Sequence, residues 1–339
     1  MPLRPRVLFA AVIAAVLTPA LALSGCAASG GSGGTTADGV TIEHAFGDTV
    51  VPANPKRVVT LGWGSSEAAL ALGVVPVAME KKAYGGDKNG VLPWIAVKLK
   101  ELGVKTPTMI TETKEAPAYE EILAVKPDLI LATYSGITKA QYKLLSDIAP
   151  TVAYPDKPWS TPWRDVISID GKALGKTAEA KSVLSDIDKV MAKQAAEHPE
   201  LKGKTVAVVW DVSGTFYVYR PADSRVSFLF DLGLSSAPAV EELANGDSPF
   251  FYTLSYEELD KLKSDIIVDF ANTDEEAATF LAQSYAKAMP AVQTGAVASV
   301  TGVPLISAVS PPTALSLTWG IDKYVAKLSA AAKAADAAR

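Results

Sequence analysis

Arginine is scarce in this chain, and its placement is therefore informative. Beyond the first 25 residues only Arg57, Arg164, Arg220, Arg225 and Arg339 occur, far fewer than the lysines, and two of the five lie within six residues. A guanidinium is planar, permanently charged and rich in donors, and it stacks on aromatic faces. Arg220 and Arg225, with Tyr219 beside them, could grip a small molecule from outside; the plainer possibility is a pair of surface arginines bridged to Asp223 and Asp231. Large aromatic residues gather in comparable places, close to apolar runs that read as strands. They are Trp63 after RVVTL, Tyr84 in AYGGDKNG, Tyr134 after LILA, Trp159 near mid-chain, Trp210 closing TVAVVW, and Phe251 in PFFYT. Cleft sites are mostly apolar with a few placed polar groups, and open α/β sheets present ligands beyond the carboxyl ends of their strands. Trp94 and Trp319 read as core instead.

Catalysis and direct metal ligation find little to work with. His44 and His198 are the only histidines and Cys26 the only cysteine in 339 residues. A Ser-His-Asp or Cys-His arrangement, or a ring of imidazoles around a metal, has almost nothing to be built from. No P-loop or dinucleotide fingerprint occurs, and Glu67 and the other loop carboxylates look like solvated charges. A formal net charge of −5 without a basic patch gives no reason to seek nucleic acid. The residues point to binding, with no catalytic residue, no metal ligand and no resident cofactor.

The elements that must position these residues come in two similar sets. A chain of 339 residues, 49 % apolar and 20 % charged, is globular and long enough for two domains. RVVTL is a strand, Glu67 to Leu72 a helix stopped at Gly73, and VVPVAM a second strand. Later TVAVVW is a strand, followed by a loop with Tyr217, Tyr219 and Arg220 and a helix from about Ser224. Downstream of each set stands one phrase, YEEILAVKPDLIL (Tyr119 to Leu131) and YEELDKLKSDIIV (Tyr256 to Val268), at a constant offset of 137 residues. In the first copy Tyr119, Ile122 and Val125 share a helix face, Glu120 and Glu121 lie on the other side, and Pro127 forces the break into a buried strand. Between the sets, Ile169, Ala173, Ala180, Leu184, Ile187 and Met191 recur at helical spacing, and only Gly171 and Gly175 interrupt them. A single helix there would be a strut that limits hinging to a small angle. Ala314 to Ala335 reads as a final helix on the second lobe.

The first 25 residues are a separate object, with Arg4 and Arg6 ahead of an apolar run that ends in Leu23-Ser24-Gly25-Cys26. This ending resembles the bacterial lipobox, in which the cysteine is acylated and the leader removed. Ala27 to Asp38, AASGGSGGTTAD, is a tether of small and polar residues.

The order of tether, VPANPKRVVTL, ALALGVVPVA, YEEILAVKPDLIL, LLSDIAPTV, central helix, YEELDKLKSDIIVDF and PPTALSLTWGIDKYVAKL resembles bacterial substrate-binding lipoproteins of iron-siderophore ABC importers, relatives of cobalamin and haem binders. The resemblance covers nearly all of the chain after the tether. It implies an α/β fold of two Rossmann-like lobes with central, mostly parallel sheets, joined by one long interlobe helix. The parts would be a signal peptide (1–25), a lipidated Cys26 with its tether (26–38), an N-terminal lobe (39–161), the interlobe helix (162–195) and a C-terminal lobe with the final helix (196–339). The implied protein is a monomer, lipid-anchored on the extracytoplasmic face of the cell membrane. Its ligand is a ferric siderophore whose iron is coordinated by the chelator, and its partner is the permease dimer of an ABC importer with its ATPase. Asp223-Ser224-Arg225-Val226 looks like the family's Ser-Arg turn, which aims arginine at an anionic siderophore; Glu120 and Glu257 fall where one glutamate per lobe docks to the permease. A haem or corrinoid receptor, or an anchored α/β enzyme, stays open as an alternative. So does the choice among catecholate, hydroxamate and mixed siderophores.

Overall fold

Runs of three to six apolar residues bounded by turns are too short to make stable helices, and here they pair side by side into two sheets. The computed structural model describes residues 39–111 and 116–339; the leader, Cys26 and the tether lie outside the described residues. Among the described residues no helix is long and apolar enough to cross a membrane. Val40–His44 (β1) and Gly47–Val51 (β2) form an antiparallel hairpin. Val58–Thr60 (β3), Ala78–Glu80 (β4), Thr108–Ile110 (β5), Leu129–Leu131 (β6) and Thr151–Val152 (β7) then make an all-parallel sheet in the order β5-β4-β3-β6-β7. Its central strands are buried along their whole length, as a parallel sheet covered on both faces requires.

The second sheet contains Thr205–Val212 (β8), Thr215–Tyr219 (β9), Ser235–Ser236 (β10), Phe251–Leu254 (β11), Ile266–Ala271 (β12) and Val297–Thr301 (β13). Its path is β11-β9-β8-β12-β13, with β10 also pairing β8. β8, β10, β12 and β13 are parallel, whereas β9 and β11 run antiparallel at one side. The stretch with Tyr217 and Tyr219 is thus a strand and not a loop. The cause is Ser213-Gly214: both have positive φ, 54° and 76°, which is the two-residue turn whose twist matches a hairpin.

Both copies of the doubled phrase run from helix to strand. The first forms an α-helix, Tyr119–Ala124, and the second a 3-10 helix, Tyr256–Lys261. Ile122, Leu259 and Leu262 are fully buried by them. The shared aspartates do one job: Asp128 accepts from the backbone N–H groups of Lys56 and Arg57, and Asp265 from that of Thr205. Each pins the start of its lobe's leading strand to the strand that the phrase introduces.

The expected single interlobe helix over 162–195 is two helices, Trp163–Ala173 and Thr177–Glu197, broken at Gly175 (φ 68°). The second is the long one. Together with the final helix, Ser316–Ala337, they contribute Trp163, Ile187, Leu317 and Tyr324 to a core that also takes Leu131 from the first sheet and Phe270 from the second. The final helix also reaches the first lobe, where Trp319 lies 5.5 Å from the fully buried Trp94. Lobes that share one close-packed core hinge little.

Helix Trp163–Ala173 also buries Asp170 completely, against the Thr133 hydroxyl after β6 and beside Ser65. Burial pushes its carboxyl up to about 7, although the hydrogen bond from Thr133 pulls the other way. The native state then holds a proton that the unfolded chain releases, so stability is greatest below the unfolded value and is lost as pH rises through the folded one. Urea denaturation from about pH 4 to pH 8 is expected to show a slope of at most about −1.4 kcal/mol per pH unit from this group. Asp170→Asn should remove that slope; an unchanged pH profile would show that Asp170 is charged in the fold.

Candidate functional site

The register of the second sheet gathers the aromatic residues onto one face. Phe251 pairs with Tyr219, Tyr217 with Trp210, and Trp210 with Phe270, and paired residues project to the same side. A continuous aromatic strip results across β11, β9, β8 and β12, with ring centroids 5.5 Å apart for Tyr217–Phe251, 5.8 Å for Trp210–Phe270 and 6.3 Å for Tyr219–Phe270. Trp210 and Phe251 thus meet through Tyr217, which the sequence reading passed over. Its signal was the alternation Phe-Tyr-Val-Tyr in β9. Phe251 belongs to a strand and not to a loop past a strand end.

Residues of the first lobe close over this strip. Tyr84 lies 6.5 Å from Trp210, and its hydroxyl donates to Asn272 Oδ1 at 2.9 Å, a hydrogen bond from one lobe to the other. Burial, with Glu276 adding to it, pushes the Tyr84 hydroxyl up to about 12. Tyr134 lies close to the turn Asp223-Ser224-Arg225 of the other lobe, and burial there raises its hydroxyl pKa, with the Asp223 charge adding to it. Trp159 stands 6.0 Å from Tyr134 and is half exposed. Its φ of 57° is rare for an aromatic residue and costs about 1–3 kcal/mol. The Trp159 N–H donates to the Ser135 carbonyl, and the indole lies so close on Gly136 that any Cβ there would meet its nitrogen. Trp159, Ser135, Gly136, Glu80 and Gln141 line a cavity of about 220 Å³ at the carboxyl ends of β3, β4 and β6.

Trp63 takes a different place. Half-buried, it packs against the core around Trp94, lies under the Lys82 ammonium, 4.8 Å from its ring centroid, and lines a small pocket with Tyr134. Glu67 is no solvated charge: in the helix Ser65–Ala71 it is 2 % exposed and accepts from Trp94 Nε1 at 3.0 Å. Burial raises its pKa against that hydrogen bond.

The two arginines part company. Arg225 lies 3.9 Å above the Tyr219 ring, with Asp223 accepting from its Nε at 2.8 Å and its Nη2 at 2.7 Å. Asp223 also caps the short helix Ser224–Ser227 through the Arg225 N–H. Burial works against the guanidinium charge, but Asp223 outweighs it and raises the pKa. Arg220 is bound by Glu241 through Nε at 3.2 Å and Nη2 at 2.6 Å. Asp231 serves Arg164, not Arg220. Both histidines are engaged locally, His44 with Thr49 and His198 with Glu200. Among the described residues no group of three or more His, Cys, Asp or Glu is arranged to hold a metal ion.

Residues 58–303 match the model of a family described as periplasmic binding protein. The chain is 32 % identical over 242 residues to the probable siderophore-binding lipoprotein YfiY of Bacillus subtilis, covering 70 % of each chain. The solved structure of Streptococcus pneumoniae PiaA in complex with ferrichrome is similar at 37 % identity and a TM-score of 0.79, over 87 % of this chain and 99 % of that one. Staphylococcus aureus SirA complexed with staphyloferrin B is similar at 26 % identity and a TM-score of 0.66, over 85 % of this chain and 98 % of SirA.

Proposed function

Because the chain belongs to the periplasmic binding protein family, whose members bind solutes and are not enzymes, we propose that it captures a ferric siderophore between its lobes and delivers it to the permease of an ABC importer. The observation that carries this reading is the run of accessible rings Phe251–Tyr217–Trp210, seated on the buried Phe270 and faced across the cleft by Tyr84 and Tyr134. Flat faces with a few fixed donors suit a chelate whose iron already has all its ligands, gripped from outside. Relatives named for siderophore and ferric-complex binding support the same cargo class. Ligands that need a protein atom on the metal fit poorly: both histidines are occupied, and the Tyr84 hydroxyl is held far from ionisation.

The protein works at the outer face of the membrane, held by acyl groups on Cys26 and spaced from it by Ala27 to Asp38. Glu120 and Glu257 are its contacts to the permease. Intrinsic-fluorescence titration with ferric and iron-free siderophores tests the binding claim. Saturable quenching by a ferric complex, and much weaker quenching by its iron-free form, is expected; no saturable quenching by any ferric complex, with circular dichroism showing a folded protein, overturns it.

A further inference from the structure

The arginines at this cleft, and Lys82, are each bonded to a carboxylate. Arg225, the only arginine stacked on the aromatic strip, gives Nε and Nη2 to Asp223, and its Nη1 reaches only the Ser310 hydroxyl, at 3.5 Å. Arg220 is engaged by both oxygens of Glu241 and by the Ser248 carbonyl. Lys82 is bonded to Glu80 at 2.7 Å. The loop lysines Lys88 and Lys157 are exposed, and each follows an aspartate, Asp87 or Asp156, in the chain. On the acidic side Glu276 accepts only the Asn272 N–H among the described residues, and it lies near enough to Tyr84 to act on its hydroxyl. The charges are therefore balanced or slightly negative, and the rest of the surface is aromatic rings, hydroxyls and an amide.

We infer that the cleft is built for an electroneutral ferric chelate, of the trihydroxamate class, and that Asp223 sets this preference by occupying Arg225. The inference rests on the siderophore reading above. Three hydroxamates bring three negative charges to Fe³⁺ and leave a neutral complex, whereas three catecholates leave it triply negative and citrate complexes are also anionic. An anion entering this cleft gives up hydration and meets guanidinium and ammonium groups already paired with carboxylates. Lys88 and Lys157, unpaired among the described residues, are exposed to solvent. A neutral complex loses little hydration and gains the stacking faces. Asp223 and Arg225 are two residues apart on one capped turn, so their pairing is locally enforced and does not depend on cargo.

Calorimetric titration of the purified protein with ferrichrome, ferric enterobactin and ferric dicitrate tests this. Ferrichrome should bind at least about tenfold more tightly than either anion. Asp223→Asn keeps the helix cap, since asparagine caps as well as aspartate, but releases the guanidinium. It should narrow the ratio between ferrichrome and ferric enterobactin by about tenfold or more. Glu241→Gln, on the exposed Arg220, should act in the same direction more weakly and covers the case in which the first variant does not fold. Tighter binding of an anionic complex by the unaltered protein, or a ratio that neither variant moves, overturns the charge preference while leaving siderophore capture standing. No binding of any of the three overturns the trihydroxamate preference, and siderophore capture then falls if the wider ferric panel also fails to quench.

Discussion

Replacing Glu120 and Glu257 together by arginine is expected to abolish siderophore uptake by cells, while the purified protein keeps its affinity for the ferric complex within about twofold. The argument begins with the doubled phrase, which repeats two acids at one offset. The structure divides their labour. Glu121 accepts from the Thr111 N–H at 2.9 Å and hydroxyl at 2.8 Å, and Glu258 pairs with Lys261 at 2.9 Å, so the second acid of each pair is used within its own lobe. Glu120 and Glu257 are exposed, and among the described residues neither side chain has a hydrogen bond or ion pair. Retaining one unspent carboxylate at the same point of each lobe has no structural return, but it suits a partner of two similar subunits, each offering a basic pocket. Reversing a charge that becomes buried against arginine costs about 3–5 kcal/mol for each pair, a loss of 100-fold or more in docking. Exposed substitutions of this kind leave stability within about 0.5 kcal/mol. Each single reversal should weaken uptake, and glutamine should do so less than arginine. Loss of siderophore affinity in the double variant would place these residues at the cleft instead and would falsify the docking role.

The two-lobe architecture was legible because its grammar is local. Apolar runs, the glycines after them and the proline of Lys126-Pro127-Asp128 mark strand and helix ends within a few residues, and the repeat shows that the grammar is used twice. Misreadings arose where one residue outweighed a pattern. Gly175, noted as an interruption of the helical periodicity, in fact ends one helix and starts another. Ser213-Gly214 turned an expected loop into β9, because a two-residue turn with positive φ at both positions returns the chain along β8. The site was legible residue by residue but not as a surface. Trp210, Tyr219 and Phe251 were each singled out, yet their common face depends on strand register, which pairs residues far apart in the chain. The balanced charges were still less visible: Asp223 next to Arg225 was open to reading, but Glu241 lies 21 residues from Arg220.

Trp210→Ala is expected to weaken ferric-siderophore binding by about 30-fold, the largest loss from any single cleft side chain, because fully engaged aromatic anchors contribute about 2 kcal/mol or more. Trp210 stands at the middle of the strip, edge-on to Phe270 at 5.8 Å and within 6.5 Å of Tyr84 on the opposite lobe. Its indole is half buried, so one part is already held by the protein and the rest is available to cargo. The Phe270 contact fixes the ring before ligand arrives, which limits the ordering cost on binding. Tyr84, in contrast, must give up or share its hydrogen bond to Asn272 if the cargo enters between the lobes, so Tyr84→Phe should change the association rate more than the final affinity. Trp210→Phe keeps a flat ring on the same strand position and should recover most of the loss. Calorimetry on the three variants, alongside urea denaturation, separates these effects from unfolding. An affinity unchanged in Trp210→Ala, with the protein folded, would mean that cargo sits elsewhere, one candidate being the cavity under Trp159 at the ends of β3, β4 and β6.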